Sequence, residues 1–260
     1  SLTYENEDGV NIYNDSVNKN GGFYVARFEA GIPENADFYG NKDGSQYYGQ
    51  NNKDVETYIP VSKKGVAVWN YIGQTNAEAV SLKMYETINS VTSRLIDSYA
   101  WDTIVNLMES KIPGIAKGTA TNIFNYGNYY DSKWSLENAL YAKHTYAKST
   151  DTWSKTTQIY NYGPVEATQG QENEVIELAT GVLEGSKIFN IYDMAGNMWE
   201  RTTEYRILED GTSKRYVRRG GNVSNKGSEC PVSARVGTNG YYINSTFRVV
   251  LYINDESAKS

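Results

Sequence analysis

The chain begins without a period. Residues 1–20 are polar, rich in Asn and Asp, and read as an extended lead-in. After Gly21-Gly22, alternate positions put Tyr24, Ala26 and Phe28 on one side and Phe23, Val25, Arg27 and Glu29 on the other, which predicts a strand with one apolar face. Residues 31–54 read as a long loop, followed by a short strand at Thr57–Val61 and a turn at Lys63-Lys64-Gly65. Two helices are predicted next. Thr75 is placed to cap one running to about Ile88, with Ala79, Leu82 or Met84, and Ile88 turned inward. Asp97 is placed to cap the other, in which Trp101, Ile104, Val105 and Met108 form one apolar stripe ending near Pro113. No period is sustained from Gly114 to about Gly185. That stretch carries Trp134 and Trp153 and reads as a loop-rich insertion around 113–186, not as a separate domain. Strand character returns at Tyr216-Val217-Arg218 and over Thr246–Ile253. The sum is an α+β domain over 21–260 whose first and last strands are neighbours.

Composition narrows the chemistry. With 260 residues and 39% hydrophobic side chains the chain can bury a real core. Its 25 basic against 31 acidic residues give a net charge of −6 without a dense basic block, which sets nucleic acid aside as a partner. One cysteine, Cys230, excludes an intrachain disulfide and any multi-thiolate metal centre. One histidine, His144, excludes a centre needing two imidazoles; in its polar Lys143-His144-Thr145-Tyr146 setting it reads as an exposed loop residue. There is no G-x-S-x-G nucleophile turn, and the carboxylates are too scattered to nominate an acid/base pair. No apolar run approaches the roughly 20 residues of a membrane-spanning helix. No secretory signal pattern is visible, and a chain opening at Ser1 leaves the compartment open.

The most informative segment is Ile191-Tyr192-Asp193-Met194-Ala195-Gly196-Asn197-Met198-Trp199-Glu200, followed by Arg219-Gly220-Gly221 and Phe247-Arg248-Val249. In order and approximate spacing these resemble the YDMAGNVWEW, RGGS and GFR motifs of the formylglycine-generating-enzyme (sulfatase-modifying factor) family. Phe23–Glu29 is similar to that family's early strand, and Arg94-Leu95-Ile96-Asp97 with Trp101-Asp102 to its helix start. The resemblance implies a C-type-lectin-like fold: two helices, a twisted antiparallel sheet, and a loop-rich C-terminal half presenting the binding face. Read physically, Gly196 permits a tight turn, Asn197 can bond its own backbone, Trp199 is a large buried plate, and Gly220-Gly221 marks close backbone packing.

The resemblance also tests the chemistry. The copper oxidases of the family hold one copper ion between two cysteines, whose places here are Asn225 and Cys230. An amide is a poor ligand for a soft monovalent ion, so oxidase activity is not expected. The family's iron-dependent branch uses histidines in an added helical domain, and neither is found here. Family members also hold a structural Ca2+, which implies Asn197, the Met198 carbonyl and Glu200 as ligands, with Arg201 standing where the family has Trp.

Residues 222–246 lack core-forming alternation and are rich in Asn, Ser, Tyr and Gly, the palette of adaptable binding loops. The same stretch of this fold is what diversity-generating retroelements randomise in phage and bacterial surface proteins; an unpaired Cys230, Thr246 in place of Gly, and Tyr241-Tyr242 would be natural products of that process. Three classes remain. The first is a non-catalytic module on a virion or cell surface, outside the cell, binding a protein or glycan. Its contacts would be Asn222, Ser224, Asn225, Lys226, Glu229, Cys230, Val232, Thr238, Asn239, Tyr241, Tyr242 and Asn244, extended by exposed Tyr129, Tyr130, Tyr160 and Tyr162. The second is an enzyme with altered chemistry at Cys230, poorly activated because Glu229 adjoins it. The third is a structural or assembly domain with inert loops.

Overall fold

A computed structural model describes residues 3–5, 7–36, 57–112, 126–136, 138–144, 149–156, 159–161 and 175–254. The expected extended lead-in is instead a short strand, β1 (Thr3–Tyr4), and a helix, α1 (Glu7–Asn20). This helix does carry an amphipathic period, but its composition is so polar that few apolar residues mark it. Ile12 and Tyr13 pack on the core, while Ser16 Oγ donates to the Gly22 carbonyl (2.6 Å) and accepts from the Ile253 amide (2.9 Å). Asn20 adds a bond to the Ile253 carbonyl (3.0 Å). Tertiary contacts supply what the pattern lacks.

β2 (Phe23–Val25) ends earlier than expected, and its faces are reversed: Phe23 and Val25 meet the core while Tyr24 is 63% exposed. Thr57–Val61 is not a strand; Val61 makes a single bridge to Gly31. α2 (Gln74–Lys83) starts one residue before Thr75, after Gly73, with no side-chain cap. It buries Ala77, Val80 and Ser81, leaves Leu82 exposed, and ends at Lys83, so that Ile88 lies beyond it, also exposed. Its small face is selected by β3 (Val91–Leu95), from which Ser93 Oγ donates to the Ser81 carbonyl at 2.5 Å. α3 (Ser98–Lys111) is as expected: Asp97 accepts from the Ala100 amide at 2.8 Å, and Trp101, Ile104, Val105 and Met108 are buried. Pro113 lies outside the described residues.

Strands also occupy the stretch that read as loops: β4 (Lys133–Ser135), β5 (Ala139–His144), β6 (Ser149–Thr156), β7 (Ile159–Asn161) and β8 (Val175–Leu178). His144 therefore belongs to a strand. β4 pairs with β7, and β5 lies between β6 and β8. All four residues of β8 are buried, so it shows no alternation. Ala142 and Trp153 join the main core, and Trp134 packs with Ile176, Leu178 and Leu183 in a smaller one.

The C-terminal part supplies β9 (Trp199–Ile207), β10 (Lys214–Arg219), β11 (Arg235–Thr238), β12 (Ser245–Phe247) and β13 (Val249–Ile253). One sheet runs β1-β9-β10-β11, with β12 joining β9 in parallel; a second runs β2-β13-β3. The first long strand predicted and the last are thus neighbours, and the class is α+β. The single strand expected over Thr246–Ile253 is two strands, and the chain changes sheets at Arg248.

Glu5, between β1 and α1, accepts from the Ser98 amide (2.8 Å) and the Thr203 hydroxyl (2.7 Å), yet burial pushes its carboxyl up to about 7. The folded state therefore binds this proton more tightly than the unfolded chain. Its contribution to stability is complete below the ordinary Glu value of ~4.3 and is lost as pH rises through about 7. Thermal denaturation should show a Tm that falls from about pH 5 to about pH 8, with a smaller fall in Glu5→Gln. Equal slopes in the two proteins would contradict this.

Candidate functional site

The backbone packs closely in the segment around Asn197. Gly196 has φ +73°, and a Cβ there would lie 2.6 Å from the Asn128 carbonyl oxygen, so only glycine fits. Asn197 does not bond its own turn. Its Nδ2 donates to Glu29 Oε2 (2.6 Å) and the Leu178 carbonyl (3.0 Å), and its Oδ1 accepts from the Leu178 amide (2.9 Å) and Asn128 Nδ2 (3.0 Å). Both oxygens of buried Glu200 accept from Arg248, at 2.6 and 2.9 Å. The rest of that guanidinium donates to the Ala26 and Tyr192 carbonyls.

Glu29, Asp193 and Glu200 thus converge on one buried cation. Burial raises all three carboxyls, and for Glu29 the charges of Asp193 and Glu200 push further the same way. This arrangement does not fit the expected calcium ion. The Asn197 oxygen is taken by two donors and both Glu200 oxygens by a guanidinium. Among the described residues no group of three or more His, Cys, Asp or Glu side chains is arranged to hold a metal.

Arg219 is likewise buried and paired, with Asp102 (2.7 Å) and Glu204 (3.4 Å), and Arg235 shares both carboxylates. Gly221, at φ +77°, brings the backbone so close to the Cys230 carbonyl that a Cβ would lie 2.4 Å away. The copper positions do not fit that ion either: Asn225 Oδ1 accepts from the Asn222 amide (3.2 Å), leaving one thiol. Burial pushes the Cys230 thiol up, Glu229 adds to this, and Arg218 opposes it. At neutral pH the thiol form dominates, a poor nucleophile.

The expected contact residues divide in two. Ser224, Lys226, Glu229, Asn239, Tyr241 and Tyr242 are exposed, and Asn225, Cys230 and Asn244 are half-buried. Asn222, Val232 and Thr238 are not on the surface. Asn222 Oδ1 accepts from the Ser224 amide to close its turn, Val232 packs in the core with its carbonyl bonded to Trp101 Nε1, and Thr238 is enclosed in β11. Thr246 is also a core residue, its hydroxyl bonded to the Trp69 carbonyl (2.9 Å). Tyr129 is fully buried and donates to the Gly220 carbonyl (2.8 Å), which corrects its expected exposure. Tyr130 is half-buried, β7 carries Tyr160, and Tyr162 lies outside the described residues.

The exposed positions form a rim on a fixed base. Residues 222–230 are tied down by the Tyr130 amide on the Asn225 carbonyl (2.9 Å) and the Gly227 amide on Asp131 (3.1 Å). Residues 239–244 are tied to the 69–74 segment: the Tyr71 amide reaches the Tyr242 carbonyl (3.2 Å), and Asn70 Nδ2 the Ile243 carbonyl (2.8 Å). Tyr241 lies flat over Gly73, where a Cβ would meet its ring at 2.5 Å, and stacks on Tyr71 at 6.4 Å.

Below Tyr242 lie two arginines that the sequence reading did not join. Arg201 on β9 and Arg218 on β10 are directly opposite each other. The Arg218 guanidinium stacks under the Tyr242 ring (4.7 Å) and over Trp199 (5.2 Å), while Arg201 donates to the Gly240 carbonyl. Burial lowers both guanidinium groups, and for Arg201 the Arg218 charge helps bring it down to about 10. Their pairing was invisible beforehand because a register shift between Tyr216 and Arg218 sets which residues face each other.

No family model and no curated protein matches the chain. Among solved structures it is similar to CarF, with 15% identity and a TM-score of 0.41 over 72% of this chain and 68% of that one. It is similar also to Treponema denticola variable protein 1, with 13% identity and a TM-score of 0.40 over 88% and 95%. A Major Tropism Determinant P3c variant matches at 14% identity and a TM-score of 0.34 over 89% of this chain and 51% of the other. Likenesses this distant fix neither a ligand nor a chemistry for this chain.

Removing the cation from the Glu29–Asp193–Glu200 cluster leaves buried charge uncompensated. Arg248→Met should cost about 3–5 kcal/mol by urea denaturation. A loss below about 1 kcal/mol would show that the cluster is dispensable.

Proposed function

We propose that this chain is a C-type-lectin-like domain of the sulfatase-modifying-factor type that carries no oxidase chemistry and binds a ligand through its 222–246 rim. The setting is a virion or cell surface, and the ligand a protein or glycan displayed on a target. What supports this most is the Tyr241–Tyr242 pair. Each tyrosine is about two-fifths exposed, at 40% and 41%, yet each is seated on glycine backbone, Tyr241 on Gly73 and Tyr242 on Gly240. Rigid aromatic faces held out to solvent give contact area at low entropic cost, because the ordering is done during folding.

The division of the rim bears on diversification. Exposed Ser224, Lys226, Glu229, Asn239, Tyr241 and Tyr242 can change without touching the core, whereas Asn222, Val232, Thr238 and Thr246 cannot. Retroelement variation acting here would therefore concentrate on the first set, and a reverse transcriptase beside a near-copy of the 3′ coding end would accompany the gene. An enzyme built on Cys230 draws no support from a thiol that its surroundings keep protonated.

The binding test uses an array of immobilised glycans and a panel of intact bacterial cells. Tyr241→Ala with Tyr242→Ala should abolish capture of whichever surface binds the native chain and shift Tm by only a few degrees. Loss of folding would place these rings in the core, and undiminished capture would remove them from the binding face.

A further inference from the structure

Like charges directly opposite on neighbouring strands are destabilising, and here one member, Arg201, is buried and the other, Arg218, half-buried. Arg219 and Arg248, the other arginines buried as deeply as Arg201, each have a carboxylate at salt-bridge distance. Arg201 and Arg218 have none among the described residues. Arg201 is 1% exposed, and the Nε atoms of both arginines are buried without a hydrogen-bond partner. Other partnerless buried atoms surround the same loop: the side-chain oxygens of Asn70, Asn244 and Thr238. Asn70 holds the Ile243 carbonyl, Asn244 belongs to the loop, and Thr238 precedes it. Two like charges and three unpaired side-chain oxygens therefore border one loop.

From this juxtaposition we propose that Arg201 and Arg218 form a carboxylate-binding site beneath Tyr242, and that its ligand is an acidic sugar, a uronic or sialic type of residue on a surface glycan. The proposal rests on the rim being the binding face and names the chemistry that it takes. Arg218 Nη1 is on Ser245 Oγ (2.8 Å) and Arg201 on the Gly240 carbonyl, and their remaining N–H groups, the two Nε among them, are left to share one planar carboxylate. A sugar ring brings hydroxyl donors on the same rigid frame, which suits the three orphan acceptors; an acidic peptide offers at most one amide donor per residue. The tyrosine rings give an amphipathic wall for the sugar face. The Tyr242 ring covers one face of the Arg218 guanidinium, and the carboxylate approaches its edge in the plane of the N–H groups. No calcium ion takes part.

The test is isothermal titration of the full chain with sodium glucuronate, methyl glucoside, sodium sulfate and a tetraglutamate peptide. Glucuronate should bind and methyl glucoside should not. Arg218→Met should weaken glucuronate by about tenfold or more. Arg218→Lys, which keeps the charge without the fork, should fall between and serves if the Met variant does not fold. Sulfate binding as tightly as glucuronate would mean an adventitious ion only. Binding of tetraglutamate in preference to glucuronate would replace the sugar with an acidic peptide, and no binding of any anion would leave the arginine pair without a ligand. Each of these overturns the proposal. If glucuronate fails while tyrosine-dependent capture persists, the rim remains the binding face; if capture is also unaffected by the tyrosine changes, both readings fall.

Discussion

Between Phe247 and Val249 the chain leaves the β9 sheet and enters the β2-β13-β3 sheet, and the buried Arg248 guanidinium occupies that crossing. Arg248 bonds the carbonyl of Ala26, just past β2, and that of Tyr192, in the loop before β9, while gripping Glu200 of β9. Three regions far apart in sequence are thereby held at one point. Such a cluster is expensive to desolvate, and a well-packed apolar replacement could be as stable. Its value is registry, because the polar partners accept only one relative placement of the two sheets.

The same constraint explains why a calcium ion does not fit the motif that implies it. Asn197 and Glu200 face inward toward Glu29, Leu178 and Arg248 and spend their oxygens there. With carboxyls raised by burial and one cation among them, this centre ties the 192–200 segment to both sheets.

What was legible in the sequence was what short-range physics controls. The Asp97 cap and the Trp101 stripe follow from spacing alone, and the glycines at 196 and 221 mark places where backbone meets backbone. What was not legible depends on partners distant in the chain. α1 is held by Ser16 and Asn20 reaching Ile253, β8 has no alternation because both its faces are covered, and α2 turns a small face to β3 that hydropathy alone would not choose. The rim was half legible: loop composition pointed to 222–246, but composition cannot separate exposed Asn239 from enclosed Asn222, nor show that Arg201 faces Arg218.

The account requires the rim to be energetically separate from the skeleton that carries it. Native-state amide hydrogen exchange measures this directly, since it resolves local opening from global unfolding. Amides of β9, β12 and β13 should exchange only at the global limit, while those of the loops at 224–230 and 239–244 exchange through smaller openings. If the loop amides are protected to the same limit as β9, the rim is part of the core, and the claim that it is a face free to bind is wrong.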